Sequence, residues 1–286
     1  MLVNTDRRLM DVKLIALDLD GTVLNSKGKL SEETKEGLMT VMDNGVNVCI
    51  ASGRAFDSLP EEVLEVPGIK YAITSNGAAI YKTKNKELIK AYKLLADSVD
   101  LILSMSKKYK RITFECIING TAYADKAYIN DPLIVGDNVR SVEYIRRTRH
   151  QVDNIVEFIS NNRANIDCMN IILGDQDVRK DIIEEISSKT SDVYITSASP
   201  VMLEFSYKDC GKAAGLRFLS DYLGIDRDLI AAFGDADNDI DMIRFAGAGI
   251  ALSNACQALK DEADYITLSN DEDGVLYALK NILEII

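Results

Sequence analysis

Histidine occurs once in this chain, at His150. A metal centre built on clustered imidazoles is therefore excluded. Cysteine is sparse as well: Cys49, Cys116, Cys168, Cys210 and Cys256 make five, an odd number with no paired short spacing. Three of them stand inside apolar runs, "VNVCIAS", "ITFECII" and "IDCMNII". Reduced, mostly buried thiols are expected rather than a disulfide framework. No apolar run reaches membrane length, and the opening "MLVNTDRRLMDV" has no stretch long enough for a signal peptide. The expectation is a cytoplasmic protein. Positive charge is in deficit, with 33 basic residues against 45 acidic and a net charge of −12. Such a surface repels nucleic-acid backbones and anionic membranes, which argues against both as partners. A small anionic substrate is still admissible, because a local cationic pocket or a metal ion can reverse the field.

The 286 residues, 47% of them hydrophobic, suffice for one large or two medium domains with a real core. The first part alternates between element types. "KLIALDLDG" reads as a strand, and "LSEETKEGLMTVMDNG" as a helix with Ser31 as N-cap and Gly45 at its end. "VNVCIASGR" reads as a second strand, "AFDSLPEEVLEV" as a short helix and "KYAITSNGAAI" as a third strand. Continuous rather than alternating apolar residues indicate a parallel sheet covered on both faces.

The pattern then changes. Residues 81–109 read as helical, and "RITFECIINGTAYAD" as a hairpin around Asn119-Gly120. Further helices ("VDNIVEFISNN", "DVRKDIIEEISSKT") and strands ("CMNIILG", "DVYITSA", "VMLEFSY") follow. From Asp209 the first pattern resumes, with strand "LIAAFGDADN" between two helices. The expected fold class is α/β: a doubly wound, Rossmann-like parallel sheet core with an inserted α+β cap domain. The expected boundaries are 1–81 and 208–286 for the core and 82–207 for the cap.

Each core strand ends in small or polar residues, where open α/β sheets bind their ligands. Asp18 and Asp20 end the first, two residues apart and pointing the same way. One carboxylate could attack phosphorus while the other moves a proton, or the pair could merely cap a loop. Ser52 and Gly53 end the second strand, a hydroxyl and an open amide suited to an anion. Lys212 stands at a helix start, where the helix's own partial positive charge disfavours a cation unless an anion offsets it. "FGDADNDIDMI" crowds Asp235, Asp237, Asp239 and Asp241 together, a charge density that calls for a cation. Oxygen ligands without His or Cys select a hard ion, naturally Mg²⁺. Asp237 and Asp241 read as capping and solvated residues and are left out of the site.

"DLDGT" (Asp18–Thr22), "ASGR" (Ala51–Arg54), "TSNGA" (Thr74–Ala78), "CGKAAGL" around Lys212, "GDADNDIDM" (Gly234–Met242) and the tail "IALSNACQALKDEADYIT" occur in order. Together they resemble the haloacid dehalogenase-like superfamily of aspartate-dependent phosphatases, and within it the Cof-type hydrolases with a large inserted cap. The resemblance implies Asp18 as the nucleophile that forms an aspartyl-phosphate and Asp20 as general acid/base. It implies Mg²⁺ held by the carboxylates of Asp18 and Asp235 and by the carbonyl of Asp20. Phosphate would be gripped by Ser52, the amides of Leu19 and Gly53, Lys212 and Asn238, with Asp239 in support. Asn76 would be structural or substrate-facing. The family often has Thr at position 52 and Gly at position 253, small departures that remove no catalytic group.

The substrate class this implies is a small phosphorylated metabolite, sugar phosphates first. A phosphomutase of the same superfamily and a non-catalytic metabolite-binding protein are the alternatives. Isomerised product exceeding free phosphate would mark the first, and tight binding without turnover the second. In the cap, Arg146, Arg147 and Arg149 could meet a second anionic group of the substrate or form a solvated basic face. His150 reads as a surface or packed residue. Nothing in the sequence sets the oligomeric state.

Overall fold

The computed structural model describes residues 11–135, 142–197 and 199–286. The reading of the first ten residues lies outside that range. The chain divides into two compact units: Met1–Ala51, Glu61–Tyr71 and Leu216–Ile286 form the first, Ser52–Pro60 and Ala72–Gly215 the second.

The first unit is built on parallel strands. Across it run Tyr265–Ile266, Ala248–Ala251, Ile230–Gly234, Leu14–Leu17 and Asn47–Ala51, in that spatial order. Leu14–Leu17, Ile230–Gly234 and Ala248–Ala251 are buried along their whole length. That is the burial expected where helices cover both faces of a sheet, and it follows from the unbroken apolar runs. From Leu14–Leu17 the chain winds outward through Asn47–Ala51. After its return it winds the other way, from Ile230–Gly234 through Ala248–Ala251. The reversal falls between Leu14–Leu17 and Ile230–Gly234, which is the position where doubly wound sheets open a crevice at their carboxyl ends.

Helix Glu32–Asp43 begins as the sequence indicates: the Ser31 side chain accepts from the Thr34 amide at 3.1 Å. Ser31 and Thr34 also donate to the Asp273 carboxylate, so the cap joins the helix to the start of helix Gly274–Asn281. The two helices lie so close that a Cβ on Gly37 would collide with Leu276.

The second unit carries a six-stranded sheet in the order Val193–Thr196, Met202–Tyr207, Cys168–Leu173, Ile112–Ile118, Thr121–Asp125, Arg149–Val152. All neighbours are antiparallel except the last pair. The Asn119-Gly120 hairpin is present, with both residues at positive φ (52° and 81°) as a tight two-residue turn requires. One face of this sheet buries Phe114, Cys116, Met169, Ile171, Leu203 and Phe205 in a core shared with Val99, Ile102, Ile159, Ile182 and Ile186. Those come from helices Ala96–Lys108, Ile155–Asn161 and Arg179–Lys189.

Two readings of local structure need correction. Residues 81–109 are not one helix. Ala79–Lys82 pairs antiparallel with Glu87–Ala91, and only Ala96–Lys108 is helical. The polar turn between the strands includes Lys86 at φ 51° and Asn85 accepting from the Glu87 amide, geometry that a helix cannot hold. "KYAITSNGAAI" is likewise two strands, Ile69–Thr74 and Ala79–Lys82. Ser75, Asn76 and Gly77 between them all have positive φ, which reverses the chain.

The thiols are buried at Cys49, Cys116, Cys168 and Cys210 and half-buried at Cys256. Burial pushes Cys49 and Cys210 up to about 12 and raises Cys116 and Cys168 as well. A thiol reagent at pH 8 should therefore modify at most Cys256 in the native protein within minutes, and all five cysteines after denaturation. Ready modification of a second native thiol would contradict this packing. Ser31→Ala should lower stability by about 1 kcal/mol, read from the urea midpoint.

Candidate active site

At the switch point of the first unit, the residue after each central strand is an aspartate. Asp18 follows Leu17, and its amide donates to the Phe233 carbonyl at 3.1 Å. Asp235 follows Gly234 on the adjacent strand. The register Leu17↔Phe233 sets the two side by side. Asp18 is buried (6% exposed), Asp235 half-buried and Asp239 fully buried. Oxygen atoms of these three carboxylates lie within 4.8 Å of one another, the one such acidic cluster among the described residues.

Local structure explains how three like charges come so close. Gly21 turns the chain at φ +82°, and a Cβ there would strike the Asp235 carboxylate. Gly234 plays the same part for Asp239, whose Cβ would lie 2.5 Å from a Cβ built on it. Thr22 donates its hydroxyl to Asp235 Oδ1 at 2.9 Å. Asp239 Oδ2 accepts the amides of Asp235 and Ala236, each at 3.1 Å. Asn254 donates to the Gly21 carbonyl at 2.8 Å, and the Cys256 amide to the Asp235 carbonyl at 2.9 Å. The loop carrying Asp18 and the loop carrying Asp235 are thus fixed by the same segment.

The other first-unit candidates fall around this cluster in sequence. Leu19 is buried, and its carbonyl accepts the Thr22 and Leu24 amides. Asp20 is exposed and bridges to Leu24. Asn238 is buried beside Asp239 in the same turn. Asp237 is exposed and accepts from the Cys256 thiol, while Asp241 lies 3.9 Å from Arg244 on the helix surface.

Ser52, Gly53 and Lys212 belong to the second unit, where backbone bonds bring their segments together. The Ser52 amide donates to Ile73 O, the Asn76 amide to Ser52 O, and the Gly211 amide to Asn76 O, at 2.9, 3.1 and 2.8 Å. Gly77 permits this approach, since a Cβ there would overlap the Gly211 carbonyl. Ser52 Oγ accepts the Arg54 amide at 3.2 Å, so its proton points elsewhere. Lys212, only 1% exposed, opens helix Lys212–Leu223. A buried ammonium at a helix N-terminus is unfavourable without negative charge nearby.

Sequence reasoning missed Gly234 and Asn254 as supports of the cluster. A glycine directly before an acidic strand end was the available signal for the first. Of the arginines of "YIRRTRH", Arg149 behaves otherwise than expected. Its side chain is buried and grips Glu115 through two bonds, at 3.1 and 2.9 Å. Arg146 and Arg147 are exposed, and Arg146 donates to the carbonyls of Ile129 and Asn130. His150 is exposed, with its ring 5.8 Å from that of Tyr123.

The donor set suits a metal. Carboxylate oxygens alone, with no imidazole or thiolate, match a hard divalent cation, which would also relieve the repulsion within the cluster.

The sequence profile of the haloacid dehalogenase-like hydrolases matches residues 15–279. Among curated proteins, the chain is 28% identical over 279 residues to the 5-amino-6-(5-phospho-D-ribitylamino)uracil phosphatase YcsE of Bacillus subtilis, covering 98% of this chain and 99% of that one. It is 31% identical to phosphatase YwpJ of the same organism, covering 95% and 100%. Among solved structures, a haloacid dehalogenase-like hydrolase from B. subtilis superposes with a TM-score of 0.80 at 26% identity, covering 95% and 100%. Another from Bacteroides thetaiotaomicron gives 0.77 at 27%, covering 95% and 99%.

The strain at Gly21 can be separated from its contact with Asp235. Gly28, at φ +70° with open space around it, serves as control. Gly28→Ala should cost only the left-handed strain, about 1 kcal/mol. Gly21→Ala should cost about 1 kcal/mol more, read from urea unfolding. Equal costs would show that Asp235 yields without penalty.

Proposed function

The chain belongs to the haloacid dehalogenase-like hydrolases as a phosphatase of the Cof type, and on that premise we propose a Mg²⁺-dependent hydrolase of small phosphorylated metabolites, sugar phosphates or similar. The observation that carries this reading is the approach of Asp18 and Asp235 at the ends of adjacent central strands, with Asp239 behind them. The names of similar proteins, phosphatases of a ribityl phosphate among them, agree with the substrate class. We place substrate selection in the inserted segment 82–207, with 1–81 and 208–286 as the core.

A carboxylate oxygen of Asp18 attacks phosphorus, and the bond to the ester oxygen breaks. Asp20 delivers its proton to that leaving oxygen, so the alcohol departs neutral. The aspartyl-phosphate on Asp18 is then attacked by water, whose proton Asp20 takes, releasing inorganic phosphate and restoring Asp18. Asp20's exposure suits it to exchange protons between these steps. Ser52, the amides of Leu19 and Gly53, Lys212 and Asn238 hold the phosphoryl oxygens. Mg²⁺ would be held by the Asp18 and Asp235 carboxylates and the Asp20 carbonyl, and would supply charge neutralisation around those oxygens. Asp239, whose Oδ2 takes two amides, fixes the Asp235 loop.

Phosphate release from an aryl phosphate and a metabolite panel tests this. Asp18→Asn should abolish turnover, and chelation of divalent metal should do the same reversibly. Asp20→Asn should slow turnover by about 10²- to 10⁴-fold while calorimetric Mg²⁺ binding largely survives. Wild type releasing no more phosphate than Asp18→Asn across the panel would overturn the reading.

A further inference from the structure

Asp18 and Asp20 are anchored differently. The Asp18 amide is still held by the sheet, on the Phe233 carbonyl at 3.1 Å, and Asp18 is buried. Asp20 and Gly21 form the outward part of the turn, exposed and half-buried between buried Leu19 and Thr22. Gly21, at φ +82°, has more backbone freedom than any residue with a side chain. A proton donor displaced by about 1 Å can lose a hundredfold in rate, so an acid beside a glycine needs its backbone held from elsewhere.

Asn254 supplies that hold. It donates through Nδ2 to the Gly21 carbonyl at 2.8 Å and accepts the Asn270 amide on Oδ1 at 3.0 Å. Both partners are main-chain groups of fixed polarity, so they settle which way the Asn254 amide faces. The Gly21–Thr22 peptide is thereby fixed at both ends, since its N–H donates to the Leu19 carbonyl at 3.3 Å. Asn270 completes the frame by donating to the carbonyl of Leu24, the residue that pairs with Asp20, at 2.9 Å.

Asn254 is exposed, but its segment is firmly seated. Two residues to either side, the Leu252 and Cys256 amides donate to the Gly234 and Asp235 carbonyls at 3.2 and 2.9 Å. The segment thus takes its position from the strand that ends in Asp235 and passes it, through one side chain, to the peptide after Asp20. Asp235 keeps the Thr22 hydroxyl and the Cys256 amide whatever stands at position 254.

We propose that Asn254 is a positioning residue for Asp20. By holding the Gly21 carbonyl it sets the Asp20 carboxyl where it can protonate the ester oxygen as the bond to phosphorus breaks. This rests on the phosphatase reading above, with Asp20 as the acid.

The test compares kcat/KM, which covers the steps up to departure of the alcohol, for glycerol 1-phosphate and 2,4-dinitrophenyl phosphate. The glycerol oxygen needs a proton to leave, whereas dinitrophenolate departs as an anion. Asn254→Ala should lower the glycerol-to-dinitrophenyl ratio about 10- to 100-fold. Asn254→Asp, which keeps the acceptor for Asn270 and loses the donor to Gly21, should lower it likewise. Losses on the glycerol ester should not add: Asn254→Ala combined with Asp20→Asn should match Asp20→Asn alone. The urea midpoint and calorimetric Mg²⁺ affinity of Asn254→Ala should stay near wild type. Hydrogen exchange at the Thr22 amide, read by NMR, reports the held peptide without turnover and should quicken in Asn254→Ala. An equal fall for both esters, additive losses with Asp20→Asn, or unchanged Thr22 exchange would overturn the proposal while hydrolysis stands. Quickened exchange in a protein that hydrolyses neither ester would sink the phosphatase reading, and with it the role given to Asp20, leaving only the hold on the turn.

Discussion

Three carboxylates within 4.8 Å of one another, two of them at the tips of neighbouring buried strands, would repel one another if nothing held them. Most of what is distinctive in the first unit serves to keep them there. Gly21 and Gly234 remove the side chains that would fill the space, Thr22 fixes one oxygen of Asp235, and two amides fix one oxygen of Asp239. The parallel register between Leu14–Leu17 and Ile230–Gly234 then fixes the distance between the strand ends. A cluster of carboxylate oxygens held together in this way has the donor chemistry of a hard divalent cation's site.

The second unit shows a different use of buried polarity. Ser52, Asn76 and Gly211 are linked by main-chain bonds, which set the segments carrying the hydroxyl and the lysine side by side. On the sheet, polar groups are placed on the face away from the helices. This separates two tasks: one face supplies the hydrophobic core, and the other is released from that duty. A solvent-facing antiparallel sheet normally shows apolar and polar residues in alternation. Here the alternation persists, but the polar partners are buried charges.

These differences account for what the sequence made legible. Unbroken apolar runs such as "LIAL" and "IAAFG" identify strands covered on both faces, and their acidic ends stand out because carboxylates are costly there. The hairpin Ala79–Lys82 and Glu87–Ala91 was hidden, because its second strand has no buried residue and is made of Glu, Leu, Ile, Lys and Ala, most of which helices also favour. Glu115 and Glu204 were hidden for the opposite reason. A lone glutamate in "ITFECII" or "MLEFSY" reads as the solvent-facing member of an alternating strand, and only strand pairing reveals that two of them share a buried row. Arg149 was read as an anion contact or a solvated residue because charge in a sequence carries no record of its partner.

The bonds that tether the Asp18 loop span most of the distance between the two parts of the first unit in sequence. Thr22 and Asp235 are 213 residues apart, and Asn254 and Gly21 are 233 apart. The loop that begins at Asp18 therefore takes its final shape only after Asn254 has been made. During synthesis from the N-terminus, Asp18 emerges early, and Asp235 and Asn254, which fix the loop around it, emerge much later. Chain closure of this span is slow compared with local folding. A nascent chain consequently lacks the assembled carboxylate cluster until Ile230–Gly234 and the residues after it are in place.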